Sequence, residues 1–92
     1  MFETKEYGDK SSDKVLFFFC ALGIPAWQFA IPFQPIRTFS KSGWRVIAYQ
    51  YRWDIIDSAD IYLKTIEGVY DDAKKRLDKL PASAQVMTVG IS

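Results

Sequence analysis

The chain has 92 residues, of which 49% are hydrophobic and 25% charged, and its formal net charge is +1. That composition suits one small globular domain or part of a larger one. It lacks the basic stripe that nucleic-acid recognition usually leaves, so no nucleic-acid partner is expected. With no histidine and one cysteine, Cys20, the chain offers no recognisable zinc site and no internal disulfide, and no metal or cofactor is expected. Cys20 reads as a small buried apolar residue inside a strand. Nothing requires an oxidising compartment, and a cytoplasmic location is expected.

Residues 1–14 are polar, with a short alternation of Phe2, Thr4 and Glu6 against Glu3, Lys5 and Tyr7. Gly8-Asp9-Lys10-Ser11-Ser12-Asp13 is a turn cluster, so this segment reads as a short edge strand followed by a turn. Residues 15–92 follow a strand–helix–strand–helix–strand pattern. Val15 to Ala21 is a continuous apolar run, the mark of a strand covered on both faces. The uncharged stretch from Val15 to Ile36 is long enough to span a bilayer. Pro25, Pro32 and Pro35 argue against a span, because they would leave backbone groups unpaired in lipid; a membrane partner is not expected. A helix is predicted over 32–42, with Pro32 and Pro35 in its first turn and Gly43 as its stop.

Residues 46–51 form the second strand of the pattern. The clearest helix is predicted over 58–79, with Asp57 as N-cap and Asp60 in the first turn. Ala59, Tyr62, Leu63, Ile66, Val69, Tyr70, Ala73, Leu77 and Leu80 recur at three and four residues and predict its buried stripe. Asp60–Lys64 and Asp71–Lys75 are spaced as i,i+4 ion pairs, and Gly68 points to a close approach. Pro81 ends the helix, and residues 84–89 form the last strand. Strands alternating with helices predict parallel pairing with right-handed crossovers.

Ligands of such sheets gather beyond the carboxyl ends of the strands, here 22–27, 52–57 and 90–92. The last strand runs into Gly90-Ile91-Ser92, the first part of a Gly-x-Ser-x-Gly nucleophile elbow. Asp54, Asp57 and Asp60 read as caps and solvated loop carboxylates rather than a metal or acid/base group. Trp27, Phe29 and Phe33 could line an acyl pocket, but packing on the sheet accounts for them more simply. Trp53 beside Arg52 could stack on it or simply cover the sheet's end.

Through VLFFFCALGIPAW, SGWRVIAYQYRW and AQVMTVGIS, in that order, the chain resembles the α/β-hydrolase superfamily over nearly all its length. The resemblance implies a three-layer α/β/α fold with a parallel sheet, the 15–21 strand between the other two and the two helices on opposite faces, residues 1–92 being the N-terminal portion of one domain. It implies Ser92 as the acyl-accepting nucleophile and the backbone N–H of Ile24 as one oxyanion-hole donor. The substrate would be a small molecule with an ester, amide or other acyl bond. The triad acid and histidine would come later in the chain order, so the remainder of the hydrolase domain is an expected partner, and this piece alone is expected to be inactive. Two positions depart from the family pattern: Leu22-Gly23 stands where His-Gly is frequent, and Gln50 where many members carry Asp. The rival readings are a non-catalytic α/β interaction domain or hydrolase-like pseudoenzyme, and third a small membrane-anchored protein.

Overall fold

Val15, Leu16, Phe17 and Phe18 are all buried, which puts their strand in the interior of a sheet. The computed structural model describes residues 2–21, 23–51 and 58–91. Its strands are β1 (Phe2–Gly8), β2 (Lys14–Phe19), β3 (Arg45–Tyr51) and β4 (Gln85–Gly90). A 3-10 turn covers Ala26–Phe29, and the helices are α1 (Pro35–Lys41) and α2 (Ala59–Asp78). The four-stranded sheet has the order β1-β3-β2-β4.

β2 pairs in parallel with β3 and with β4, as the alternation of strands and helices predicts. The sheet as a whole is mixed and not parallel throughout, because β1 lies antiparallel along β3, from Phe2 opposite Tyr51 to Gly8 opposite Arg45. The chain is thus a small mixed α/β domain with β1 and β4 on its edges. Gly8 ends β1 at φ 80°, where a Cβ would overlap the Trp44 carbonyl oxygen, so no larger residue fits that turn.

Successive residues of a strand face opposite sides, and β2 and β3 divide their apolar residues accordingly. Leu16, Phe18, Cys20, Val46 and Ala48 join Ala26 and Ile36 in one cluster. Val15, Phe17, Ile47 and Tyr49 join Val69 in the other. The first cluster takes α1 and the 3-10 turn, and the second takes α2.

α1 is shorter than predicted. Pro35, not Pro32, occupies its first turn, because Phe33 sits at φ 71°, a left-handed conformation that a helix cannot include. Its end follows the prediction. Gly43 is at φ 88°, the Trp44 N–H donates to the Phe39 carbonyl at 3.1 Å, and the two rings meet edge-to-face at 5.5 Å. This is a Schellman stop with its hydrophobic contact.

The N-cap of α2 is Ser58, whose side chain accepts from the Ile61 N–H at 3.2 Å; the expected cap, Asp57, lies outside the described residues. Its packing corrects the predicted stripe. Val69 is buried, and Ala73 and Leu80 are partly so, but Tyr62, Leu63, Ile66, Tyr70 and Leu77 are exposed. Thr65 is buried in their stead, its hydroxyl donating to the Ile61 carbonyl at 2.8 Å.

The reason is a polar network that hydropathy does not register. The Tyr49 hydroxyl donates to Asp72 Oδ2 at 2.6 Å, and Arg76 Nε donates to the same oxygen at 2.8 Å. Arg76 also lies 3.8 Å from Glu6, which pairs with Arg45 at 2.6 Å. Asp72 and Arg76 therefore turn toward the sheet and rotate the apolar line away from it. Neither expected ion pair, Asp60–Lys64 or Asp71–Lys75, closes; the observed i,i+4 pair is Asp72–Arg76. At Gly68 a Cβ would lie 3.0 Å from the Phe2 ring, which confirms the close approach.

The uncharged run 15–36 divides into β2, the 3-10 turn and the start of α1. Among the described residues no helix is long and apolar enough to cross a membrane.

Candidate active site

β2 and β4 end side by side, and this brings the two ends of the predicted site to one edge of the sheet. Phe19 is opposite Gly90, and the Ile91 N–H then donates to the Phe19 carbonyl at 3.0 Å. The ladder thus holds β4 in register up to the residue before Ser92. Ser92 itself lies outside the described residues, as do Leu22 and residues 52–57, including Arg52, Trp53, Asp54 and Asp57.

Beyond Phe19, the Cys20 N–H donates to the Tyr49 carbonyl at 2.9 Å, and the chain turns at Gly23, φ 82°. Glycine is suited to that left-handed position. Ile24 follows, exposed, on the same carboxyl edge as Gly90. Its N–H donates to the Ala21 carbonyl at 3.1 Å. The predicted oxyanion donor is therefore committed to a turn in this conformation and must give up that bond to serve a substrate.

Gln50 contributes what its type alone does not reveal. Its Oε1 accepts from the Ala26 N–H at 2.9 Å, and its Nε2 donates to Glu3 at 3.2 Å. Gln50 is thus a clamp between β1, β3 and the loop after β2. Phe29 fastens the same loop from below, its ring 5.0 Å from that of Phe18. Of the three aromatics weighed as an acyl pocket, Phe29 is thus packing, while Trp27 and Phe33 face solvent.

Among the described residues of this edge, Cys20 and Tyr51 are poorly suited to be bases. Burial pushes the Cys20 thiol up to about 11, so near neutral pH it is protonated and inert. Burial also raises Tyr51, with the neighbouring Cys20 and Tyr62 adding to the effect. The chain has no imidazole. Among the described residues no group of three His, Cys, Asp or Glu side chains could hold a metal ion.

The Glu6–Arg45–Arg76–Asp72–Tyr49 network was not visible in the sequence, because its members are far apart in the chain. It borders an open cavity of about 400 Å³ whose lining includes Arg45, Lys75, Arg76 and Lys79. Arg45 opens β3, so this cavity lies toward the amino ends of the parallel strands, opposite the edge where ligands of such sheets gather. No family model, curated protein or solved structure matches the chain.

Proposed function

We propose that the chain is the N-terminal part of a serine-type α/β-hydrolase acting on ester, amide or other acyl bonds. The observation that carries this reading is the parallel β2–β4 ladder: it ends with Gly90 opposite Phe19, so the chain leads toward Ser92 from the edge that also bears Ile24. The two apolar clusters would form the inner faces of a three-layer α/β/α domain. Ser92 Oγ would attack the substrate's acyl carbon, forming a C–O bond, while the carbonyl π electrons move to its oxygen. The Ile24 N–H, freed from Ala21, would steady that oxyanion. Its collapse would expel the leaving group and leave an acyl-enzyme, which water hydrolyses to the acid and free serine. The base that takes the serine proton, and that base's acidic partner, would come from outside these 92 residues.

This mechanism makes the isolated chain catalytically silent. In a nitrophenyl-ester assay, wild type and Ser92→Ala should turn over alike. A clear Ser92-dependent rate would mean that a base within the chain, such as a lysine, activates the serine, and would overturn the mechanism.

A non-catalytic interaction domain is the second reading, and a specific observation favours it. The exposed line of α2 borders a groove of about 340 Å³ over β2 and β4, lined by Phe17, Phe19, Tyr70, Leu77 and Val86 among others. The codons that follow Ser92 separate the two readings. A small residue at position 94 with Asp and His downstream favours the enzyme, and an immediate stop codon favours the interaction domain.

A further inference from the structure

The loop between β2 and α1 displays apolar side chains that its own packing leaves in solvent. Phe33 is 99% exposed, Trp27 59% and Ile31 45%, with Ile24 exposed at the loop's start. The display is built, since Ala26 is buried, Phe29 stacks on Phe18, and Gln50 clamps the backbone at Ala26. Phe33 holds a positive φ of 71°, a strained conformation for a bulky residue, and it makes no burial in return.

The charges that accompany this loop in the sequence have one sign: from Val15 to Ser42 there is no Asp or Glu, and the charged residues are Arg37 and Lys41. Arg37 and Lys41, one turn apart and exposed on α1, follow directly after Phe33. Glu3, the carboxylate tied to the loop through Gln50, is also engaged by Lys5 at 3.8 Å.

We propose that this loop, with Arg37 and Lys41 beside it, docks on the surface of an anionic phospholipid bilayer. Trp27, Ile31 and Phe33 would enter the boundary between headgroups and acyl chains, where aromatic residues are favoured, and the two cations would meet lipid phosphates and carboxylates. Such docking requires no membrane span, so it agrees with the strand-and-turn structure of residues 15–36. It revises the sequence-based expectation of no membrane partner and stands independently of the hydrolase reading.

Flotation of the 92-residue chain with vesicles tests it, using phosphatidylcholine alone and phosphatidylcholine mixed with phosphatidylserine. The chain should float with the mixed vesicles and bind the neutral ones more weakly. Phe33→Gly should weaken binding about tenfold, the scale of one lost buried aromatic. Glycine accepts the positive φ, so this variant keeps its fold and its circular dichroism. Arg37→Gln and Lys41→Gln should each cost about fivefold on the anionic vesicles and little on neutral ones. Mixed vesicles should shift tryptophan emission to the blue in wild type and not in Trp27→Phe. Failure of the wild type to float, unchanged flotation of Phe33→Gly, or a Phe33-dependent dimer in place of vesicle binding would each overturn the proposal.

Discussion

Phe18→Ala should cost about 3–5 kcal/mol of stability. Phe18 is fully buried on the central strand, between Ala48 of β3 and Val89 of β4. Ala48 is too small to close the hole, and β4 is held by neighbours on one side only. The Phe29 ring, 5.0 Å away, would lose its support, and with it goes the anchoring of the 3-10 turn. A small domain has about 5–15 kcal/mol in all, so the variant stands near or past its unfolding point at room temperature. Urea denaturation reads this as a large fall in midpoint. A loss below about 1 kcal/mol would show that the Phe18 side chain does not fill the interior as described.

Asp72→Ala should cost about 1–3 kcal/mol, because it strips a buried hydroxyl of its acceptor and Arg76 of its closest carboxylate. Tyr49 is fully buried and rests between the rings of Phe19, at 5.3 Å, and Phe2, at 5.9 Å, so its hydroxyl cannot swing to solvent. Tyr49→Phe removes donor and need together and should cost less. The double variant should show coupling of about 0.5–3 kcal/mol, and strict additivity would contradict the contact.

The same site sets a pH dependence. Burial opposes ionisation of Asp72, but hydrogen bonds from Tyr49 and Arg76, with the nearby Arg76 and Lys75 charges, outweigh it and hold the carboxyl below its ordinary value. A carboxyl depressed in the folded state stabilises it above the unfolded value of about 3.9, and that contribution is lost as pH falls through the lower folded value. Asp72→Ala should therefore flatten part of the acid limb of the stability profile. Burial, then the hydrogen bond to Asp72 and its charge, raise Tyr49. Its contribution is present below about pH 10 and fades as the unfolded-state phenol ionises above that.

The elements most legible in the sequence were those whose local signal and tertiary role coincide. The apolar run at Val15 meant burial on both faces, and β2 indeed gives residues to both apolar clusters, as an interior strand beside β3. Gly43 announced the end of α1 because a left-handed residue is needed there whatever surrounds it. The face of α2 was misjudged because periodicity weighs hydropathy alone. The face it presents is set by contacts of Asp72 with Tyr49, Arg76 with Glu6 and Gly68 with Phe2, partners that approach from distant parts of the chain. The site was legible only as an edge: Gly90 and Ile24 come to the same end of the sheet, but the engagement of the Ile24 N–H by Ala21, and the clamp made by Gln50, depend on how the loop closes.

The central functional claim is that Ser92 is an activated nucleophile in the protein expressed from its own gene. Reaction with a fluorophosphonate probe, followed by peptide mass spectrometry, tests it most directly. The account predicts a covalent adduct on Ser92, lost in Ser92→Ala while the fold is kept. No adduct on Ser92, or labelling that persists in Ser92→Ala, would contradict it.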